Sequence, residues 1–237
     1  MSKYIFHNHN HDGVDRRGFL ECMAWAGTGV LYVLKGGILR SYGLNQLPRS
    51  GAGGASGGME GGLSFVQISD SHMGFNKPAN SDVVATLQAA VDKINALGTS
   101  PAFLLHTGDI SHLSKPQEFD TVDQLLRGVK TNQMFYVPGE HDVLTDDGRG
   151  YLDRYAKQSR GMGWYSFDHS RVHFIGLVNV MNLKAGGLGT LGSEQLEWLA
   201  AYDAECPNRA GWKNGRAFGR CPRRCPMNPL CPEDSQF

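Results

Sequence analysis

The sequence predicts an α/β fold in which parallel strands alternate with helices between residues 63 and 137. Two observations support this prediction. Three short apolar runs have the length and composition of buried strands, and the two longer segments between them repeat their apolar residues at helical spacing. Strands and helices that alternate in this way imply parallel strands joined by right-handed crossovers. Functional sites in such sheets lie beyond the carboxyl ends of the strands.

The first strand is predicted at residues 63–69, and a helix follows it. Ser81 can cap the start of this helix and Gly98 can end it. Five apolar residues fall on one face of the predicted helix: Val83, Leu87, Val91, Ile94 and Leu97. The second strand is predicted at residues 102–106.

A second helix is predicted to begin near Pro116, because its apolar residues again repeat at helical spacing. These residues are Phe119, Val122, Leu126 and Val129. The third strand, at residues 134–137, runs into Pro138 and Gly139. After it the pattern changes, since residues 164–168 and 172–178 are β-rich runs joined by a short turn, which predicts a hairpin.

Ser193 can cap a last helix that carries Leu196 and Leu199. With the hairpin before it, this helix completes the predicted architecture. The fold class is therefore α/β, with mixed β-sheets flanked by helices.

The N-terminal segment, residues 1–40, is predicted to be a twin-arginine export signal. Arg16 and Arg17 precede an uncharged apolar run, residues 22–34, of about thirteen residues. This run is too short to span a bilayer comfortably as a helix and has the length of a signal-peptide core. The expected partner is the twin-arginine translocase, and the expected location is periplasmic or extracellular. A short surface helix or an uncleaved membrane anchor remains as an alternative.

Residues 41–62 are predicted to be a flexible linker, because glycine dominates residues 51–62. The folded domain is accordingly expected at residues 63–200. The tail, residues 201–237, has no valine, isoleucine or threonine but holds four cysteines, and it is predicted to be disordered. A zinc knot on these cysteines is the weaker alternative, because their spacing lacks paired CxxC knuckles.

The charge balance is neutral, with 23 basic and 23 acidic residues. No excess of positive charge is present to attract a polyanion, so no nucleic-acid partner is expected. A membrane partner is expected only if the signal stays uncleaved.

Polar clusters follow each of the three predicted parallel strands. They are Asp70-Ser71-His72, Gly108-Asp109 and Gly139-Glu140-His141-Asp142. Carboxylate oxygen and imidazole nitrogen together suit divalent Mn, Fe or Zn. Glycine before Asp109 and before Glu140 lets the backbone turn sharply and approach an ion closely. The pattern predicts two divalent ions that bind a phosphoryl group between them.

A D-x-H motif, a GD motif and a G-x-H-D motif at successive strand ends resemble the calcineurin-like metallophosphoesterase superfamily. Together with the paired arginines, the sequence most resembles exported bacterial members related to cyclic-nucleotide phosphodiesterases. The resemblance covers residues 63–200. It implies a metallophosphoesterase-type sandwich, present in part, that hydrolyses a small phosphodiester or phosphomonoester with two divalent metal ions (Mn, Fe or Zn).

The resemblance also assigns the metal ligands. Asp70 and His72 match ligands of the first ion, and Asp109 matches the carboxylate that bridges both ions. Glu140 stands where the family has an asparagine bound to the second ion. Glutamate can still bind a metal, but it adds a negative charge and one methylene.

The catalytic residues follow from the same motifs. His141 matches the histidine that donates a proton to the leaving oxygen or steadies the phosphate. Asp142 matches the acidic residue that orients this histidine. His112, just past the GD motif, is a candidate substrate contact, with an ordinary loop histidine as the alternative.

The family's later metal-binding histidine and GHxH motif have no counterpart, because no histidine follows His173. Residues 201–237 are therefore expected to be an unnatural end, such as a shifted reading frame or a truncated copy. The expected consequence is impaired chemistry. Two alternatives stay open: a non-catalytic metal-binding remnant, and a chain that does not fold stably.

Overall fold

The structure is a computed structural model that describes most of the central part of the chain. The described residues are 29–35, 38–44, 62–131, 133–157, 159–170, 172–180 and 189–205, with no side chains for 202–205. The paired arginines, the glycine-rich stretch and the tail after residue 205 lie outside the described residues. The predictions made for them stay predictions.

Five strands form one mixed β-sheet in the order β2-β1-β3-β4-β5. They are β1 (Val30–Lys35), β2 (Ile38–Gly43), β3 (Leu63–Ile68), β4 (Leu104–His106) and β5 (Met134–Tyr136). Strands β3, β4 and β5 are parallel, whereas β1 runs antiparallel to both β2 and β3. The three parallel strands are those predicted from the sequence, and the α/β fold class with mixed sheets and flanking helices is confirmed.

Four helices are described: α1 (Val83–Asn95), α2 (Pro116–Leu126), α3 (Arg149–Tyr155) and α4 (Ser193–Glu205). Helices α1 and α2 connect the parallel strands as predicted. Asp82, and not Ser81, caps α1, because its side chain accepts a hydrogen bond from the Ala85 amide at 2.8 Å. No sequence pattern predicted α3. Among the described residues, no helix is long and apolar enough to cross a membrane.

Each face of the five-stranded sheet packs against a different layer. Val66 and Leu104 belong to the core that α1 and α2 cover. On the other face lies the predicted hairpin, β6 (Tyr165–His169) paired antiparallel with β7 (Val172–Gly176). Phe135 and Phe167 stack across that interface with ring centroids 3.7 Å apart. The central strands are thus covered on both faces, which fixes the positions of the loops at their ends.

Strands β1 and β2 lie before the predicted start of the domain. The folded part was expected to begin at residue 63, yet residues 30–43 form a hairpin that extends the sheet next to β3. Leu31 and Leu44 are 2% and 3% exposed and join the main core. An apolar run bounded by glycine is typical of a buried strand as well as of a signal-peptide core. Composition alone therefore does not distinguish the two structures.

Candidate metal centre

The loops that follow β3, β4 and β5 contact one another through their backbones. The Asp70 amide donates to the Gly108 carbonyl at 3.0 Å, and the His72 amide donates to the Asp109 carbonyl at 2.9 Å. These bonds continue the parallel pairing of β3 and β4 beyond the ends of the strands. The polar clusters predicted at successive strand ends are therefore brought together at one edge of the sheet.

Three residues of these loops have backbone angles in the left-handed region. The φ angles are +56° at Asp70, +40° at His72 and +50° at Asp109. Residues other than glycine rarely adopt this region, although Asp and His adopt it more often than most. Such strain persists where the surrounding structure imposes it, and it concentrates at functional sites.

Two glycines allow the second and third loops to meet. Gly108 has a φ of +112°, and a Cβ there would lie 2.8 Å from the Gly139 amide nitrogen. A Cβ on Gly139 would overlap the carboxylate and the amide nitrogen of Asp109. The candidate ligands on the second and third loops are thus positioned by a close backbone contact. This contact leaves no room for a side chain at Gly108 or Gly139.

Asp70, His72 and Asp109 form the first group of converging donor atoms. One ligand atom of each lies within 4.8 Å of the others. Nε2 of His72 is 3.6 Å from Oδ2 of Asp109 and 3.9 Å from Oδ1 of Asp70. A set of two carboxylates and one imidazole suits Mn²⁺, Fe²⁺ or Zn²⁺.

The protonation of Asp109 also fits a cation site. Burial raises the pKa of Asp109 from 3.8 to about 7, against the lowering effect of nearby His141. A positive ion beside this carboxylate would favour its ionised form and offset the cost of desolvating the charge.

His72, His112 and His141 form a second group of converging donor atoms, again within 4.8 Å of one another. The rings of His112 and His141 are stacked with centroids 5.0 Å apart. Burial, followed by the proximity of His141, lowers the pKa of His112 to about 4, so this imidazole is neutral at pH 7. The sequence analysis proposed His112 as a substrate contact and did not place it beside His72 and His141.

The hydrogen bonds of Asp142 join two loops of the site, and its predicted role in orienting His141 stays a prediction. Its carboxylate accepts from the amides of Ile110, Ser111 and Gly139 and from the Ser111 hydroxyl, at 2.8–3.1 Å. Nδ1 of His141 donates to the carbonyl oxygen of His112 at 2.7 Å. Asp142 therefore joins the second loop to the third, and a backbone carbonyl accepts from the histidine. Burial raises the pKa of Asp142.

Glu140 opens a short 3-10 turn, Glu140–Asp142, and is partly buried. Neither group of converging donor atoms found among the described residues includes it. Its predicted contact with a second ion remains a prediction.

Comparison with known proteins identifies the family. The sequence model of the calcineurin-like phosphoesterase family matches residues 63–215. The chain belongs to this family. A purple acid phosphatase isolated from yellow lupin (Lupinus luteus) seeds has a similar solved structure, with a TM-score of 0.42 and 12% sequence identity. That match covers 75% of this chain but 43% of the lupin protein. No curated protein matches the chain.

In this calcineurin-like phosphoesterase, Glu118 supports the site and was missed from the sequence. Its Oε2 accepts from the amides of His112 at 3.1 Å and Leu113 at 2.8 Å, which fixes the loop that carries His112. The signal for it was a glutamate three residues after Lys115 at the start of a helix, which is a capping-box spacing.

Ser114 is a second support that the sequence analysis missed. It has a φ of +53°, and its hydroxyl donates to the His141 carbonyl oxygen at 2.6 Å. The Leu144 amide donates in turn to the Ser114 hydroxyl at 2.9 Å. Ser114 therefore joins the loop after β4 to the turn that carries His141.

Proposed function

We propose that this phosphoesterase-family chain hydrolyses a small phosphoester, either a diester or a monoester, with divalent metal ions bound beyond β3, β4 and β5. The convergence of Asp70, His72 and Asp109 within 4.8 Å is the observation that carries this proposal. These residues lie inside the segment that matches the family. Two divalent ions at such a site polarise the phosphoryl oxygens and lower the pKa of the attacking water.

Asp109 is proposed as the bridging carboxylate because its two oxygens face different loops. Oδ2 lies 3.6 Å from Nε2 of His72, on the side of the first donor group. Oδ1 accepts a hydrogen bond from the His141 amide at 3.0 Å, on the side of the third loop. A carboxylate in this position can offer one oxygen to each of two neighbouring ions, and Glu140 is proposed as the further ligand of the second.

His141 is proposed to donate the proton that the leaving oxygen requires. A carbonyl oxygen can only accept, so Nδ1 of His141 carries a hydrogen and donates it to His112. The proton that His141 exchanges with substrate is therefore the one on Nε2. A histidine held in this way can protonate a leaving alkoxide, or bind a phosphate oxygen, when its ring is doubly protonated.

The second ion is proposed to bind more weakly than the first. Asp109 and Glu140 are the two protein ligands proposed for it, whereas Asp70, His72 and Asp109 supply three for the first. Removal of a single residue that supports a metal ligand commonly lowers metal affinity or activity by roughly 10–100-fold, so a difference of one direct ligand should separate the two affinities clearly. We expect slow turnover that rises with metal concentration well beyond saturation of the first ion.

Hydrolysis of bis(p-nitrophenyl) phosphate and p-nitrophenyl phosphate by the full chain, titrated with Mn²⁺, tests this proposal. Asp109→Asn should lower both bound Mn²⁺ and turnover more than any other single substitution, because Asp109 would serve both ions. Asp92→Asn, the same change at an exposed position of α1, should alter neither. Metal content after gel filtration gives the stoichiometry. Equal Mn²⁺ content in the wild type and Asp109→Asn would reject the site.

A further inference from the structure

Three imidazoles, those of His72, His112 and His141, lie next to the carboxylates of the candidate site. The ring centroids of His72 and His141 are 4.7 Å apart, and those of His72 and His112 are 5.7 Å apart. One nitrogen from each ring lies within 4.8 Å of the other two. Because His112 contributes to this group and not to the carboxylate group, the two groups share a single residue, His72.

His141 has the hydrogen-bonding pattern of a metal-binding histidine. Its Nδ1–H donates to the His112 carbonyl oxygen at 2.7 Å, so Nε2 holds the lone pair in the neutral ring. Histidines that bind metals almost always donate the other ring N–H to a carbonyl or carboxylate, which fixes the ring and its tautomer. The His112 backbone supplies that support here.

His112 adds a buried polar atom that an ion would satisfy. Nδ1 of His112 is buried and has no hydrogen-bond partner among the residues that the structure describes. A buried polar atom without a hydrogen-bond partner is unfavourable, and a bound cation would remove this penalty. The loop around it is held by Glu118, whose carboxylate accepts from the His112 and Leu113 amides. The ring is thus carried on a fixed backbone.

We propose that His72, His112 and His141 form a three-histidine site for a divalent ion that prefers nitrogen donors, such as Zn²⁺, Cu²⁺ or Co²⁺. Three imidazoles with a fourth position open to water make a known type of zinc site. Tetrahedral Zn–N bonds of about 2.0–2.1 Å place the nitrogens about 3.3 Å apart. The present nitrogens lie within 4.8 Å of one another, so the rings would have to move closer together around a bound ion.

The three-histidine site would compete with the carboxylate group for His72. Oxygen-rich sites favour Mn²⁺, whereas imidazole favours Zn²⁺ and Cu²⁺, so the identity of the metal selects between the two groups. An ion on the three histidines also occupies Nε2 of His141, the atom proposed to exchange a proton with substrate. Zn²⁺ bound there is expected to inhibit hydrolysis that depends on Mn²⁺.

Titration of the metal-free full chain with Zn²⁺ and with Mn²⁺, followed by calorimetry, tests the site without measuring activity. His112→Asn should weaken Zn²⁺ binding by at least about tenfold and leave Mn²⁺ binding unchanged. Asp109→Asn should do the reverse. His169→Asn, on the distant β6, is the matched control and should alter neither. Equal Zn²⁺ affinity in the wild type and His112→Asn would overturn the proposal.

The failure of this proposal is distinguishable from the failure of the proposed function. If His112→Asn weakens Zn²⁺ and Mn²⁺ equally, His112 belongs to the carboxylate site and the three-histidine site is rejected. The electron paramagnetic resonance spectrum of the Cu²⁺-loaded wild type needs no substitution. Coupling to three nitrogens supports the site, and coupling to one nitrogen overturns it.

Discussion

The candidate metal ligands on the first two loops gain their direction from backbone conformations that glycine and a few polar residues adopt. Asp70, His72 and Asp109 all have positive φ angles. Branched side chains are much less compatible with that region. Hydrogen bonds from Asp70 and His72 to the loop after β4 hold the strained segments in place. The geometry of the site is therefore a property of the paired loops and not of any single side chain.

Gly139 is the residue where this pairing is most sensitive. Gly139→Ala should displace Asp109, since the added Cβ would overlap its carboxylate and amide nitrogen. We expect Mn²⁺ affinity to fall by roughly 10–100-fold, as for the loss of a supporting contact. Gly98→Ala is the control, because a Cβ at Gly98 meets nothing within 4 Å. Calorimetric titration compares the two, and unchanged Mn²⁺ affinity in Gly139→Ala would contradict the close contact of the loops.

The burial of His106 predicts that the free energy of unfolding depends on pH. It is fully buried at the end of β4 with Nε2 2.7 Å from the Ser71 hydroxyl, and desolvation lowers its pKa from 6.5 to about 3. The unfolded state then binds more protons than the native state between pH 6.5 and 3. The stability contributed by neutral His106 is thus fully present above pH 6.5 and lost as the pH falls through that window.

The slope from one such group is at most about 1.4 kcal/mol per pH unit. His106→Gln should flatten the dependence of the unfolding free energy on pH between 6.5 and 4, measured by urea denaturation. His169→Gln, at a partly exposed position, is the control. An unchanged slope in His106→Gln would show that the buried ring does not contribute.

Individual candidate ligands were predictable because each cluster of polar residues follows an apolar run, and Asp109 and Glu140 also follow a glycine. The residues that these side chains contact in the folded protein were not predictable. Asp142 precedes Val143 in sequence, yet its carboxylate accepts from Ile110 and Ser111, which are more than 30 positions away. The hydrogen-bond partners of this carboxylate depend on which loops the sheet brings together, and the local sequence does not indicate them. The same holds for His112, whose neighbours His72 and His141 belong to other loops.

Among the elements, the β1–β2 hairpin completes the sheet beside β3. Without β1, the backbone of β3 would be an open edge available for pairing with other chains. Leu31 pairs with Val66 in register and is buried, whereas Leu39 on β2 is 56% exposed. In the hairpin, β1 therefore contributes to the core, whereas most of β2 is exposed.

Leu31→Ala should destabilise the protein by about 2–5 kcal/mol, because it leaves a cavity in the core. Leu39→Ala, the same change at an exposed position of β2, should shift the unfolding free energy by less than about 0.5 kcal/mol. Chemical denaturation measures both. Equal small effects would indicate that residues 30–43 are not part of the folded domain.

At the scale of the whole molecule, the sequence predicted the parallel strands and the aromatic hairpin but not where the fold begins. Apolar runs between helices identify buried strands, since their length and flanking glycines leave few alternatives. Residues 30–34 have two compatible structures: the end of a signal-peptide core and the strand β1. The pairing of this segment with β3, about 30 residues further along the chain, decides between the two structures. No local sequence pattern indicates that pairing.

This overlap limits where an export signal could be removed. We propose that the chain is exported through the twin-arginine pathway and that any cleavage falls before Val30. Cleavage after Gly43 would remove β1 and β2 and leave β3 as an edge strand. The twin-arginine route carries folded proteins, so a domain that includes β1 must form before transport.

Replacement of Arg16 and Arg17 by lysine should retain the protein in the cytoplasm of a bacterial host, because the route requires the arginine pair. The same replacement at Arg223 and Arg224 in the tail is the matched control and should leave export unchanged. Fractionation followed by immunoblotting measures the location, and mass spectrometry of the exported form gives its N-terminus. Export of the Arg16/Arg17 variant at the wild-type level would reject the route. A mature N-terminus beyond Gly43 would instead show that the hairpin is dispensable for the folded domain, since the exported protein would then lack the strands that cover β3.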